Sequence, residues 1–546
     1  MQSLQTLDYI VFLFYFFVVA GYGYYIYNQK RNASASSNDY FLAEGSLTWW
    51  AIGASLIASN ISAEQFIGMS GSGFKMGLAI STYEWMAAAT LIVVAVFFMP
   101  VYLKNKIFTM PQFLNQRYNS TVSLVMAIFW LALYILVNLT AIIYLGALAV
   151  SGISGFGFQT CAICLAVFAI FITLGGMKVI GYTDVLQVIF LVIGGLITTY
   201  LAISLVSNGS GLQGFMAGFD AMRAEGADHF HMILQKGQMV YTDGTEKKDA
   251  YMELPGLAVL IGGMWIVNLN YWGCNQYITQ RALGADLSTA RKGILFAAFL
   301  KLLMPIIVVL PGIACYVLHK RGMFQAEMLN EKGVLTFDKA YPVLLNLLDP
   351  GLKGLAFAAL TAAIVASLAG KANSIATIFT LDIYKNYVNK DASEKQLVWI
   401  GRLSVIVAIL LGVGIILTDY FAGIMKQGGF GFIQEMTGLL SPGIFASFIM
   451  GFFWKRTNSA GALFAIVGGF LISLYSHFNF AHIPFIDRMG WVFCTCVGVM
   501  VVLGYALPNE RKGLEIDTDM FKVDRTFAIG ASIILAALAV LYYTFW

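Results

Sequence analysis

Ser59-Asn60-Ile61-Ser62-Ala63-Glu64-Gln65 interrupts the apolar run 47–71 near its middle, and Asn268-Leu269-Asn270-Tyr271-Trp272-Gly273-Cys274-Asn275-Gln276 interrupts the run 255–280 in the same way. Serine and asparagine side chains compete with helical backbone hydrogen bonds. Non-helical backbone at membrane depth survives only where it lines a cavity or is buried in protein. Both runs are therefore expected to be discontinuous helices, the second and seventh of the chain. An odd separation of five spans makes them cross in opposite directions. The pattern predicts an inverted repeat of two five-helix units, 47–205 and 255–453, with a binding site at mid-membrane between the breaks. The alternative is ordinary polar contact between unbroken helices.

Outside these stretches the composition points the same way. Of 546 residues, 59% are hydrophobic and 11% charged, against roughly 25% charged in soluble domains. The chain reads as an all-α membrane protein with about fourteen apolar runs near the roughly 20 residues that span a bilayer. Residues 1–46 would form an extra helix and a cytoplasmic connector, 206–254 an extracellular connector able to form short helices, and 454–546 three additional helices. Lys30, Arg31, Lys104, Lys106, Lys178, Arg291, Lys292, Lys455 and Arg456 fall on one side, while the short connectors opposite carry only Lys75, Lys426 and Arg488. The positive-inside rule then puts both termini outside the cytoplasm of a multi-pass plasma-membrane protein, a bacterial inner membrane being expected. Asp8 before the first run, with Lys30 and Arg31 after it, predicts a retained helix rather than a cleaved signal.

Several function classes are excluded on the same grounds. The formal charge of +4, from 33 basic and 29 acidic residues dispersed among loops, offers no patch for nucleic acid. All six cysteines lie in apolar runs, which predicts no disulfide scaffold, and Cys161 and Cys164 read as packing residues. No GxxxxGK[ST] segment is present, so uphill transport would draw on an ion gradient. No nucleophile–base pair or metal-ligand spacing suggests an enzyme, and no obligate protein partner is evident.

Ionisable residues inside spans are costly and mark functional sites. Here they are Glu64, Glu84, Asp184, Lys301, Lys371 and Glu435. Glu84 and Lys301 are expected to face the cavity, where a carboxylate accepts and an ammonium donates hydrogen bonds. A structural ion pair between helices is the alternative for them. With the amides Asn60, Gln65, Asn268 and Gln434, they give many donors and acceptors at near-zero net charge. Such a set suits a neutral polyhydroxylated solute, and Tyr271 adds a ring on which an apolar sugar face can lie.

Ala58 to Gly73, Tyr83-Glu84-Trp85-Met86, Asn268 to Arg281 and Phe432-Ile433-Gln434-Glu435 resemble the sodium/solute symporter family, most of all its bacterial sodium/galactose (sodium/glucose) branch, along nearly the whole chain. The resemblance implies the five-plus-five fold of leucine-type transporters. It implies sugar contacts at Asn60, Gln65, Glu84, Asn268, Lys301 and Gln434. Tyr271 would be an inner gate held by Asn60, with Trp272 beside it, and Met69, Tyr83 and Phe430 an outer gate. It implies a sodium ion held by carbonyls of Ala58, Ile61 and Ala363 and by the Ser367 hydroxyl, with Asp184 on the ion's path to the cytoplasm. Oxygen ligands from unwound backbone suit a hard cation.

Three positions depart from that pattern. Ala366 stands where the family has a second hydroxyl, Ala87 where the galactose carrier has a sugar-contacting serine, and Lys371 where the family is apolar. Lys371, one turn beyond Ser367, has three arrangements open to it: snorkelling toward the inner interface, pairing with Asp184, or occupying or repelling the cation site. The expected function is sodium-coupled import of a galactose- or glucose-type sugar by alternating access. An inositol carrier, a sodium-independent or proton-coupled carrier, and a sugar sensor stand as alternatives.

Overall fold

The computed structural model describes residues 4–29, 47–175, 177–243, 246–329, 333–418, 429–509, 511 and 513–546. Lys30, Arg31 and Lys426, three of the charges used to orient the chain, lie outside the described residues, as does the connector 30–46. Among the described residues eleven helices are long and apolar enough to cross a membrane. The number is twelve if Ala250–Ile261 and Gly263–Gly273, bent by 79°, form one span.

That count differs from the fourteen apolar runs for identifiable reasons. The run 156–176 forms only the 16-residue helix Phe158–Thr173. The run 47–71 divides into the 12-residue helix Trp49–Asn60 and a helical path of 41 residues, Glu64–Lys104, that absorbs the next run. At 1.5 Å per residue this path is about 60 Å long, twice the hydrocarbon thickness. Gly77, with φ +69°, turns the chain within it, and a Cβ there would stand 2.3 Å from the His229 carbonyl oxygen.

Local chemistry explains where the helix Trp49–Asn60 stops. Ile61 is extended (φ −82°, ψ 108°). The Ser62 amide, which a continuous helix would give to the Ala58 carbonyl, goes to Gln65 Oε1 at 3.1 Å. The Glu64 amide goes to Ser62 Oγ at 3.2 Å. Side chains thus capture the backbone donors, the competition expected of serine and polar neighbours. A second departure follows the helix Gly263–Gly273, where Asn275 is extended (φ −102°, ψ 124°) before the helix Gln276–Leu283 begins. There Tyr102 donates to the Gly273 carbonyl at 2.5 Å and Tyr134 donates to Asn275 Oδ1.

Glycines set the helices that carry the site close together. A Cβ at Gly53 would stand 2.7 Å from the Gly293 carbonyl, and one at Gly293 would stand 2.9 Å from the Trp49 carbonyl. Trp49–Asn60 and Leu287–Val308 therefore meet backbone to backbone, as small residues allow in membranes. Following both helices in the same direction from that crossing brings Asn60 beside Lys301.

Three helices, Ser459–Asn479, Phe485–Ala506 and Arg525–Thr544, follow residue 454. The last leans on the site helices, with Tyr542 and Thr82 hydroxyls 2.7 Å apart. The chain end meets the 206–254 connector, where the Met232 amide donates to the Phe545 carbonyl at 2.7 Å. At the other terminus, buried Asp8 accepts from the amides of Gly351 and Gly354 at 2.7 and 2.8 Å. One chain end thus lies against the 206–254 connector and the other against the start of the Leu352–Thr377 helix. The all-α expectation needs one amendment, because the 206–254 connector carries an antiparallel hairpin, Val240–Asp243 with Glu246–Asp249.

Candidate functional site

Four elements meet around Lys301. The residue sits in the helix Leu287–Val308, is buried, and donates to Glu84 Oε2 at 2.5 Å and to Asn60 Oδ1. Asn60 Nδ2 in turn donates to the Tyr271 hydroxyl at 2.9 Å. Lys301 Nζ also lies 5.2 Å from the centre of the Trp272 ring, within cation–π range. The chain Glu84, Lys301, Asn60, Tyr271 therefore joins the end of the Trp49–Asn60 helix to the end of the Gly263–Gly273 helix.

These residues line a cavity of about 40 Å³ together with Gln65, Asn268 and Gln434, room for about one water molecule. Gln65 gives its carbonyl oxygen to the Ser62 amide, so its NH2 is the group left for a ligand. Asn268 gives its NH2 to the Met264 carbonyl at 3.1 Å, so its oxygen is left. The pocket therefore pairs donors with acceptors, has two aromatic faces in Tyr271 and Trp272, and is lined by the Lys301 ammonium against Glu84 and by Glu64, whose charge Lys371 offsets from outside the lining. That chemistry fits a neutral solute carrying several hydroxyls and gives an anion no uncompensated positive charge.

Tyr83 and Phe430 separate this cavity from a second, of about 640 Å³, on the side of the 206–254 connector. Their rings meet edge-on at 5.2 Å. Phe430 presses on the broken segment, where a Cβ at Gly68 would stand 2.8 Å from the Phe430 Cβ. Gln434 lines both cavities. Met69, expected at the outer gate, is buried and lines neither. The larger cavity contains the pair Lys75–Glu253 at 2.6 Å and Glu435. Glu435 faces His477 and Arg488 at 3.0 and 3.3 Å, so it belongs to this outer cluster rather than to the smaller cavity.

On the opposite side of the pocket, Tyr277 donates to the Tyr271 hydroxyl. The residues expected to bind sodium lie on two neighbouring segments. Ser367, in the helix Leu352–Thr377, donates to the Ser59 carbonyl at 3.1 Å. The Ala58 carbonyl has lost its helical partner, the Ser62 amide, to Gln65. Ala363 and Ala366 are buried on the Leu352–Thr377 helix.

For Lys371, two of the three arrangements left open by the sequence are not found. It neither snorkels nor reaches Asp184; its Nζ lies 3.1 Å from Glu64 Oε1, with both side chains buried, and 5.1 Å from the centre of the Tyr277 ring. Asp184 is held elsewhere. Its Oδ2 accepts from Ser55 Oγ at 2.6 Å and lies 3.9 Å from Arg281, which also donates to Ser55 Oγ at 2.9 Å. Sequence reasoning assigned no role to Tyr277, Arg281 or Ser55, and none to Glu64 beyond its charge. Tyr277 and Arg281 were inside the quoted segment 268–281, and their only signal was buried polarity at one end of a broken helix.

Comparison with known proteins adds independent findings. Residues 40–469 match the sodium:solute symporter family. The sodium/glucose cotransporter of Vibrio parahaemolyticus is 45% identical over 558 aligned positions, covering 100% of this chain and 99% of that one. Human sodium/myo-inositol cotransporter 2 is 33% identical, over 87% of this chain and 70% of its own length. Sheep sodium/glucose cotransporter 1 is 31% identical over 86% and 71%. Among solved structures, a substrate-bound, outward-open sodium-coupled sialic acid symporter superposes with a TM-score of 0.78 at 20% identity, covering 93% of this chain and 99% of that one. The multi-helix membrane fold is therefore that of this transporter class.

Proposed function

The chain belongs to the sodium:solute symporter family, and on that premise we propose that it imports a neutral hexose with sodium by alternating access. The observation that carries this reading is the buried chain Glu84–Lys301–Asn60–Tyr271, which joins the two helix breaks and presents balanced donors and acceptors to a solute. On this reading the breaks belong to the second and seventh of about fourteen spans, in two inverted five-helix repeats, 47–205 and 255–453. Asn60, Gln65, Glu84, Asn268, Lys301 and Gln434 hold the hydroxyls, and Tyr271 stacks on the solute. Tyr83 and Phe430 close the outer side, Tyr271 the inner side. The long connectors and both termini face outward, in a bacterial inner membrane.

Sodium, as co-substrate, would sit among the carbonyls of Ala58, Ile61 and Ala363 and the Ser367 hydroxyl. There it would draw the first broken helix against Leu352–Thr377. An ion that favours the solute-accepting conformation raises solute affinity by linkage. The relatives name both glucose and myo-inositol; Ala87, which lines the pocket without a hydroxyl, keeps an inositol as the second reading. Equilibrium binding of labelled glucose, galactose and myo-inositol to the purified chain, with sodium and with choline, decides between them. A hexose should bind at least tenfold tighter in sodium. Binding of none of the three, or equal binding in choline, refutes the proposal.

A further inference from the structure

Two bridges join the same two segments of the molecule. Ser367 donates to the Ser59 carbonyl, and one turn further along the helix, about 6 Å, Lys371 meets Glu64. Of the sodium ligands named above, Ser367 is itself in a bridge, Ala58 adjoins Ser59, Ala363 lies one turn before Ser367, and the extended residue Ile61 lies between Ser59 and Glu64. A fixed ammonium and a fixed carboxylate thus stand beside the cation site. Both are buried, so solvent screens their fields little.

From this arrangement we infer that Lys371 is a tethered cation that masks Glu64 and thereby sets the affinity for sodium, an inference that rests on the sodium coupling just proposed. Glu64 is an oxygen donor of the type a hard cation prefers, and its charge at this depth must be neutralised by some partner. The ammonium supplies that neutralisation without leaving the protein. It also joins the broken segment to the Leu352–Thr377 helix, the same two segments a bound sodium would join. A mobile ion therefore adds less to a connection that already exists, and the Glu64 carboxylate is already taken. The pair does not touch the solute-binding ammonium of Lys301. Glu64 lines the pocket and Lys371 does not, reaching it only through the Tyr277 ring and the Tyr277–Tyr271 hydroxyl contact, so Lys371 is a positioning residue for the ion, not a solute ligand.

The test is direct binding of radioactive sodium to the purified full-length chain in detergent, without solute, for three variants. Lys371→Met leaves Glu64 to attract a mobile cation, and the half-saturating sodium concentration should fall about tenfold. Glu64→Gln leaves the ammonium uncompensated beside the site, and that concentration should rise about tenfold or more. The double variant should return to within about threefold of the unmodified protein, because the effect is charge and not packing. Unchanged sodium affinity in Lys371→Met overturns the inference. Should Lys371→Met fail to fold, unchanged affinity in Glu64→Gln overturns it equally. A protein that binds sodium as expected in these variants but moves no hexose would leave this inference standing and remove the solute reading, so the two failures are distinguishable.

Discussion

Two buried lysine–glutamate pairs sit on either side of Tyr271, and they differ in length, in partners and in access to the pocket. Lys301–Glu84 is the tighter, at 2.5 Å, shares its ammonium with Asn60, and lines the pocket. Lys371–Glu64 is longer, at 3.1 Å, and only its glutamate reaches the pocket wall. Neither pair is strong evidence of stability, since desolvation offsets the Coulomb attraction of buried ions. Removing one partner is a different matter, because it leaves an uncompensated charge. The contrast is one of place: both members of the first pair line the pocket, while the second pair joins the broken segment to the Leu352–Thr377 helix.

The largest expected effect breaks the first pair. Lys301→Ala should abolish hexose uptake, by at least about a hundredfold, while the protein still reaches the membrane. Losing one member of a buried pair leaves the other unpaired at about 3–5 kcal/mol. Gln434→Ala should do likewise if its amide is a solute ligand. Normal uptake by both variants, normalised to the amount inserted, removes them from the site. By contrast, Lys371→Met should keep uptake and alter its sodium dependence.

Next in size is the link between the pairs. Tyr271→Phe removes the hydroxyl that Asn60 and Tyr277 both address. Two hydrogen bonds at about 0.5–1.5 kcal/mol each predict roughly a tenfold drop in accumulation ratio, read as solute leaking back through the inner side. An unchanged ratio would mean the two pairs act independently.

A smaller change sharpens the second pair. Ala366→Ser places a hydroxyl on the Leu352–Thr377 helix beside Ser367 and should lower the half-saturating sodium concentration about threefold. An effect equal to that of Lys371→Met would mean that ligand count, not charge, limits sodium binding.

The smallest effect belongs to an exposed pair. Arg321 clasps Glu225 at 2.8 and 2.5 Å, and its hydrogen bond holds the Glu225 carboxyl below the ordinary carboxylate range. Whatever stability the pair contributes is therefore present at neutral pH and disappears as pH falls through that depressed value. Surface pairs contribute little. Glu225→Gln should shift the melting temperature by about one degree or less at pH 7, less still at pH 4, and leave uptake unchanged.

The same two pairs mark how far the chain could be read before its coordinates. Lys301 lies inside the helix Leu287–Val308 and Glu84 in the first turn of the helix Thr82–Val93, each within an apolar run, so charge inside the runs was enough to suggest the pair. Lys371 was placed on the face of Ser367 by helical phase, yet its partner was missed. Glu64 follows the extended residue Ile61, and a break resets the rotation of everything after it, so no periodicity carries across. The outer hairpin was illegible for a different reason: its strands are four residues each and lie in a polar connector without strong alternation. Polar interruption of apolar runs, by contrast, needed no tertiary information, and it marked the segments around which the pocket forms.

The most direct test is uptake of labelled glucose and galactose into proteoliposomes holding the purified protein, with an inward sodium gradient or with choline in its place. The account predicts accumulation above the external concentration that collapses when the gradient is dissipated and is absent in Lys301→Ala. Uptake that ignores the gradient, or that persists in Lys301→Ala, would contradict it.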